Sequence, residues 1–182
     1  MTYNIIATGV GGQGVLFLSR ILGEVALRQG FYPTIGEVHG MSQRGGTVVA
    51  TVRIGDMKGL GPLIKQGGAD ALIAMEPLEA ARARDMLSED AVAVVNTRPI
   101  WIEGYPEVKD LIGSIEKRCQ VISYDAFEIA RRVGAERSQN MVLLGTLIGS
   151  GRTPVEEKYV RDVLGERGGG KNLRCFEEGL HI

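Results

Sequence analysis

The chain has 182 residues, of which 44% are hydrophobic and 24% charged, and its formal net charge is −1. This length and balance are typical of one globular domain with a buried core, and residues 1–182 are interpreted as a single domain. The near-zero charge and the 5% aromatic content argue against a nucleic-acid partner, because such partners require basic surfaces and stacking rings.

Membrane and metal signals are also missing from the sequence. No apolar run approaches the length of about 20 residues that spans a bilayer, and the first residues lack a basic region. The two cysteines, Cys119 and Cys175, are too few and too far apart for a CxxC metal or iron–sulfur site. We expect two buried thiols, no metal site, no membrane contact and a cytoplasmic location.

The predicted strands and helices alternate along the sequence. Strands are predicted at residues 3–8, 32–38, 47–54, 71–75, 91–95 and 121–123. Helices are predicted from residue 15 to Gly30, from Pro77 to Leu87, at 107–117, at 125–133, at 141–148, from Thr153, and at 171–179. This alternation predicts an α/β fold of three layers that is Rossmann-like, with a mainly parallel sheet and helices on both faces.

A glycine-rich turn joins the first strand to the first helix. Gly9, Gly11 and Gly14 match G-x-G-x-x-G, a spacing that permits a tight turn, the approach of a ligand and close helix packing. We expect the N–H groups of residues 11–14 to be free, and together with the positive end of the helix they favour an anion. The predicted cofactor-binding residues of the turn are Gly9, Gly11, Gly12, Gln13 and Gly14. The alternatives are a plain tight connection and, for the Gln13 amide, a bond to a neighbouring loop.

A dinucleotide would be the usual ligand of this turn. That interpretation also needs an acid about 20 residues further on, where the second strand ends. Residues 30–36 contain no acid, and the first one is Glu37. The missing acid disfavours a free-standing NAD(P)-dependent oxidoreductase.

The most unusual segment is the polar loop at residues 37–46, Glu-Val-His-Gly-Met-Ser-Gln-Arg-Gly-Gly. Loops at the carboxyl ends of strands form the binding crevice of an open α/β sheet, so this loop is expected to face the glycine turn. Arg44 can bind a phosphate or carboxylate bidentately, and His39 can act as an acid–base group. His39 and Arg44 are therefore the catalytic candidates, unless they are a structural histidine and a paired surface charge. The cofactor-binding candidates of this loop are Ser42, Gln43, Arg44 and Gly45.

Together with Glu76-Pro77-Leu78-Glu79-Ala80, these two loops resemble the gamma-type subunit of 2-oxoacid:ferredoxin oxidoreductases. The resemblance covers nearly the whole chain. The His-Gly-Met-Ser-Gln-Arg-Gly-Gly string at residues 39–46 is most similar to the beta subunit of the indolepyruvate branch. Pyruvate and 2-oxoglutarate members tend to carry an acid before Arg-Gly instead.

The resemblance implies a complex that oxidatively decarboxylates aryl pyruvates, reduces ferredoxin and delivers the acyl group to coenzyme A. It implies that this chain is inactive alone. Our hypothesis is that the chain completes the active site and helps to hold coenzyme A, with its two loops either contacting the phosphates or closing over the thiamine diphosphate region. The large catalytic subunit would carry thiamine diphosphate and the iron–sulfur clusters. The sequence agrees, because it has no cysteine ligand set, and Gly55-Asp56 continues with Met57 rather than a full thiamine diphosphate signature.

Several alternatives stay open at this point. The same enzyme class could act on pyruvate or another 2-oxoacid, and the chain could instead be an NAD(P)-binding oxidoreductase or a nucleotide-sensing module. A homodimer of the isolated chain is a further option.

Some residues outside the two loops also have two interpretations. Glu76, Glu79 and Asn96 follow predicted strands, where they either face the crevice or simply form a helix start and a turn. Trp101 would indicate a partner contact if it is exposed, and Gly145 indicates close packing of its apolar helix.

Overall fold

Six strands form one sheet in the computed structural model, which describes residues 1–39 and 45–182. The strands are β1 (Thr2–Val10), β2 (Tyr32–His39), β3 (Thr47–Gly55), β4 (Ala69–Ala74), β5 (Leu87–Asn96) and β6 (Gln120–Tyr124). The helices of the described residues are α1 (Val15–Arg28), α2 (Pro77–Ala83), α3 (Val108–Glu116), α4 (Ala126–Arg132), α5 (Gln139–Gly149), α6 (Glu157–Glu166) and α7 (Gly170–Leu180). None of these helices is both long and apolar enough to cross a membrane.

The strand order is β2-β3-β1-β4-β5-β6. β1, β4, β5 and β6 are parallel neighbours, whereas β3 is antiparallel to both β1 and β2. The mainly parallel sheet is thus confirmed, with an antiparallel part that the element pattern did not predict. The reason is the short connection between β2 and β3, because a parallel pair needs a crossover of a dozen or more residues.

Helices cover both faces of the sheet, as predicted. Along β1, Ile5 and Ala7 join one apolar core while Ile6 joins the other, and Ile73 and Leu72 of β4 divide in the same way. Helices α1 and α4 to α7 pack on the first face, and α2 and α3 pack on the second. Near-continuous apolar strands form because both faces of these strands are buried.

The two cysteines are free and buried, one in each core, which confirms the prediction for Cys119 and Cys175. Burial raises the pKa of the Cys175 thiol to about 11. A thiol that stays protonated at neutral pH is a poor nucleophile and a poor metal ligand.

Two helix boundaries differ from their predictions by more than two residues. The helix that begins at Pro77 ends at Ala83, and a short 3₁₀ turn then leads to Leu87, which already belongs to β5. Leu87 is buried in the core under α2 and α3, so tertiary packing outweighs its helical spacing. The helix predicted from Thr153 begins instead at Glu157, since the Thr153 hydroxyl accepts a bond from a nearby backbone N–H and closes a turn.

Glycines allow α5 and α7 to pack with their backbones in contact, as the glycine in the apolar helix indicated. A Cβ atom on Gly145 would lie 2.1 Å from the carbonyl oxygen of Phe176, and one on Gly179 would lie 2.0 Å from that of Val142. Any side chain at these two positions would therefore force the helices apart.

We expect Gly145→Ala to lower the free energy of unfolding by about 1–3 kcal/mol, because the added methyl group overpacks the α5–α7 contact. Gly165→Ala is the matched control, since Gly165 is an exposed helical glycine with no atom within 4 Å of an added Cβ. This control should be neutral or up to about 1 kcal/mol more stable. Chemical denaturation of both variants checks the prediction, and equal stability of the two would contradict it.

Candidate functional site

The carboxyl ends of β1, β4 and β5 meet at one edge of the sheet. The antiparallel strand β3 begins at the same edge, with Thr47 opposite Val10. The glycine turn, the start of α2 and the loop from β5 to α3 are therefore neighbours, although they are far apart in sequence. In open α/β sheets this edge is where ligands bind.

Each glycine of the turn has its own structural reason. Gly12 and Gly14 have φ of 100° and 83°, the left-handed region that favours glycine. A Cβ on Gly9 would lie 2.8 Å from Gln13 Oε1, and one on Gly14 would lie 2.5 Å from Asn140 Nδ2. No atom lies within 4 Å of a Cβ on Gly12, which is exposed. The turn is thus tightly packed on its inner side and open at Gly12.

Two N–H groups of the turn bond to the protein itself. The Gly11 N–H donates to the Gly46 carbonyl at 3.0 Å, and the Gln13 N–H donates to the Val10 carbonyl at 3.1 Å. The expectation that the N–H groups of residues 11–14 are all free for an anion is therefore wrong for Gly11 and Gln13. These bonds fix the turn against β3 instead.

The remaining N–H groups are placed to receive an anion. Those of Gly12 and Gly14 have no hydrogen-bond partner within the described residues. Gly14 is the N-cap of α1, and the helix begins with neither a capping side chain nor an acid in its first turn. The positive end of this 14-residue helix is therefore available to a negative group.

The Gln13 side chain holds the turn in place. Its Oε1 accepts a bond from the Val10 N–H at 2.7 Å, and its Nε2 donates to the Met75 carbonyl at 3.1 Å. The amide thus joins the end of β1 to the end of β4, which agrees with the interpretation of Gln13 as a contact to a neighbouring segment. Direct contact of Gln13 with a cofactor stays a prediction.

Only the end of the second polar loop can be placed. Residues 40–44 and the side chain of His39 lie outside what the structure describes. The predicted ligands Ser42, Gln43 and Arg44 fall in this part. Gly45 lines the cavity described below, and Gly46 accepts the bond from Gly11. The predicted proximity of loop and turn is confirmed at this end, although β3 rather than β2 is the neighbour of β1.

A cavity of about 180 Å³ lies beside the turn. Its lining includes Val10, Gly45 and Thr47, and also Glu76, Glu79 and Tyr105. The last three come from the start of α2 and the loop after β5. Two acidic side chains therefore lie at the same sheet edge as the glycine turn.

Glu76 satisfies both interpretations of its motif. Its Oε2 caps α2 by accepting a bond from the Glu79 N–H at 3.0 Å. Its Oε1 accepts bonds from the Ile100 N–H at 3.3 Å and from the Tyr105 hydroxyl. Burial, and then the bond to Glu76, raise the pKa of Tyr105, so this phenol stays protonated as a donor. Glu76 is thus a helix cap that also forms part of the crevice wall.

Glu79 has a different arrangement. Glu79 is 3% exposed. Its Oε1 accepts hydrogen bonds from Thr47 Oγ1 at 3.1 Å and from an Arg82 guanidinium N–H at 2.5 Å. Its Oε2 is buried without a hydrogen-bond partner in the described part of the chain. Burial raises the pKa of the Glu79 carboxyl, and Arg82 opposes this shift.

Asn96 does not face the crevice. It is fully buried, its Nδ2 donates to the Met75 carbonyl at 3.0 Å, and its Oδ1 accepts from the Ala126 N–H at 3.0 Å. It therefore connects β5 to β4 and α4. Trp101, in contrast, is 72% exposed and packs edge-to-face on Tyr105, with ring centroids 5.3 Å apart.

The chain matches the family model described as pyruvate ferredoxin/flavodoxin oxidoreductase over residues 4–182. The chain belongs to this family. It is also 38% identical to indolepyruvate oxidoreductase subunit IorB of Archaeoglobus fulgidus, in an alignment that covers 100% of this chain and 95% of that protein. The family suggested by the two loops is therefore confirmed.

Solved structures of this oxidoreductase family share the fold. The gamma subunit of a keto/oxoacid ferredoxin oxidoreductase from Geobacter sulfurreducens gives a TM-score of 0.73 at 24% identity, with 98% of this chain and 96% of that chain covered. The 2-oxoglutarate:ferredoxin oxidoreductase from Magnetococcus marinus, solved with 2-oxoglutarate, coenzyme A and succinyl-CoA bound, gives 0.78 at 19% identity. That match covers 98% of this chain and 30% of the longer chain.

Two residues of the candidate site carry no sequence signal. Tyr105 comes from an irregular loop, and Asn140 comes from α5, where its amide donates to the Gly14 carbonyl at 3.1 Å. Neither belongs to a motif, and both reach the site only because distant segments meet at the sheet edge. A pattern search along the chain therefore does not find them.

We expect Glu79→Gln to gain stability relative to wild type as the pH rises. A raised carboxyl pKa means that the folded state holds the proton more tightly, so wild type loses stability as pH rises from the ordinary value of 4.5 through the raised pKa. The amide does not titrate in this window. Urea denaturation below pH 4.5 and at neutral pH checks the difference.

Glu89→Gln serves as the control, because Glu89 is an exposed carboxylate in β5. Its stability difference from wild type should not vary in the same way with pH. If Glu79→Gln also shows a difference that is independent of pH, the carboxyl pKa of Glu79 is not raised in the folded state.

Proposed function

We propose that this chain is the small gamma-type subunit of a 2-oxoacid:ferredoxin oxidoreductase acting on indolepyruvate and related aryl pyruvates. The complex would release carbon dioxide, reduce ferredoxin and form the acyl-CoA. The full-length similarity to an IorB subunit supports the substrate class. The observation that supports a role for this chain at coenzyme A is the open, acid-free helix start behind Gly12.

A larger catalytic subunit would hold thiamine diphosphate and the iron–sulfur clusters and would pass electrons to ferredoxin. The cysteine inventory of this chain supports the division, since an iron–sulfur cluster takes four cysteine ligands or a comparable set and the chain has two cysteines. Both thiols are buried in separate cores. We propose that this complex is located in the cytoplasm. The proposal also includes a homodimer of the isolated chain.

The glycine turn fits a phosphate of coenzyme A. The N–H groups of Gly12 and Gly14 are donors, and Gly12 leaves open space on the side where a ligand approaches. We place Arg44 as the cationic partner of the phosphate and Ser42, Gln43 and Gly45 beside it. When bound, coenzyme A supplies the thiol that accepts the acyl group.

This chain's own residues would hold that ligand in place. Gln13 and Asn140 fix the turn through their bonds to backbone groups, so its donors are rigid before a ligand arrives. His39 ends β2 opposite Val48, at the same sheet edge. We assign to His39 a hydrogen bond or a proton transfer at this edge.

We expect Gly12→Asp to weaken the apparent coenzyme A affinity of the assembled complex at least tenfold, about 1.4 kcal/mol, because a carboxylate would face the phosphate. Gly30→Asp is the matched control, since Gly30 has a similar φ of 84° and equally open surroundings at the other end of α1. A coenzyme A titration that separates KM from kcat measures both variants. Unchanged affinity and turnover in Gly12→Asp would refute the site.

Arg44→Ala should weaken the apparent affinity for coenzyme A to a similar degree, because the substitution removes the cation that pairs with the phosphate. Arg20→Ala, at an exposed position of α1, controls for the loss of one positive charge.

The same complex assayed with indolepyruvate, pyruvate and 2-oxoglutarate tests the substrate, and a preference for pyruvate would overturn the aryl assignment. A thermal shift of the isolated chain with NAD(P)H but not with coenzyme A would favour the dehydrogenase alternative.

A further inference from the structure

A small polar network joins the first turn of α2 to the first residue of β3. The Thr47 hydroxyl donates to Glu79 Oε1 at 3.1 Å and accepts a bond from Arg82 Nη1, also at 3.1 Å. Arg82 donates in addition to Glu79 Oε1 at 2.5 Å. The three side chains therefore form a closed triangle of hydrogen bonds, which ties the helix to the strand.

Glu79 is suited to hold this contact, because its own position is fixed. Its backbone N–H donates to Glu76 Oε2 at 3.0 Å, within the cap of α2. Glu79 is 3% exposed, so water competes little for the bond from the Thr47 hydroxyl. Arg82 supplies the opposite charge to the carboxylate. The acceptor is therefore in place whether or not a ligand is bound nearby.

Thr47 is the point where the polar loop at residues 37–46 rejoins the sheet. It is the last residue of β3 that pairs with β1, and the ends of such ladders open most readily. The two residues before it are Gly45 and Gly46, and Gly45 is exposed with φ of 77°. Glycine gives the backbone wide conformational freedom. The bond to Glu79 therefore adds a side-chain anchor where the backbone is least constrained.

Residues assigned to coenzyme A come directly before this anchor. Arg44 is three residues before Thr47 in the sequence, and Gly45 is two residues before it. The Gly46 carbonyl accepts the bond from Gly11, which belongs to the glycine turn. One end of the polar loop is thus attached both to the turn and to α2. A ligand held between turn and loop gains from both attachments, since ordering loose groups costs binding free energy.

We propose that Glu79 is a positioning residue for coenzyme A, which acts through Thr47 to fix the end of the polar loop. This inference rests on the proposed function, which places coenzyme A at the two loops. Glu79 does not touch the ligand, because its Oε2 is buried and its Oε1 is occupied by Thr47 and Arg82. Without the anchor, only a fraction of the molecules would present the loop for binding, and affinity would fall by that fraction. Saturating coenzyme A would order the loop again.

Thr47→Val and Thr47→Ser test the anchor in the assembled complex, because valine lacks the hydroxyl and serine keeps it. We expect Thr47→Val to raise the KM and the calorimetric Kd for coenzyme A about threefold or more, with kcat unchanged at saturation. Thr47→Ser should bind close to wild type. Thr51→Val is the matched control, since the Thr51 hydroxyl, four residues further along β3, donates to the Pro62 carbonyl at 2.8 Å. This control should keep the wild-type affinity.

Glu79→Met removes the acceptor and keeps the length of the side chain. An apolar side chain of similar size can replace a buried ion pair without loss of stability. We therefore expect this variant to fold as stably as wild type and to bind coenzyme A about threefold more weakly. A purely structural role would give the opposite result, lower stability with unchanged affinity. The double variant with Thr47→Val should be no weaker than either single variant, because both remove the same bond.

Each outcome either supports or overturns the inference. Wild-type coenzyme A affinity in Thr47→Val or Glu79→Met would overturn it, and so would equal weakening in Thr51→Val or Thr47→Ser, or additive losses in the double variant. If Glu79→Met does not fold, the two Thr47 variants decide. If Gly12→Asp and Arg44→Ala also leave the affinity unchanged, the proposed function itself fails. If only those two weaken binding, the anchor alone is refuted. Denaturation of each variant separates a weakened site from a damaged fold.

Discussion

The close fit of the glycine turn between β1, β3 and β4 is the constraint on which the candidate site depends. The Gly11 N–H bonds to the first described residues of the β2–β3 loop, and the Gln13 amide joins the ends of β1 and β4. Gly9 has no room for a side chain beside Gln13 and Met75. These contacts bring the polar loop, the turn and the start of α2 to one edge. Without them the free N–H groups of the turn and the acidic cavity would not be neighbours.

Opposite electrostatic properties lie side by side at this edge. The start of α1 presents free N–H groups and no acid, while the start of α2 presents the buried Glu76 and Glu79. The two helix starts therefore have opposite electrostatic character, although they lie at the same edge of the sheet.

Local patterns predicted much of this arrangement. The alternation of strands and helices predicted the layers, and the G-x-G-x-x-G spacing predicted the turn before α1. Gly145 predicted close packing of its helix, which the α5–α7 contact confirms. The antiparallel β3 and the early end of α2 were not predicted, because strand pairing and the burial of Leu87 depend on segments far away in sequence. The N–H groups of the glycine turn were all expected to be free. One of them bonds to the Gly46 carbonyl, which is also far away in sequence.

The class of fold, the family and the positions of the two loops could be inferred from the order of residues alone, because hydrophobic period, glycine spacing and short polar strings are properties of neighbouring residues. The three-dimensional structure was needed to show which donors of the turn remain free, that Gln13 and Asn140 hold the turn, and that Glu79 and Tyr105 line the same cavity. Those facts depend on how separate segments approach one another. Burial then changes the chemistry of the groups that meet, as the raised pKa of Glu79 shows.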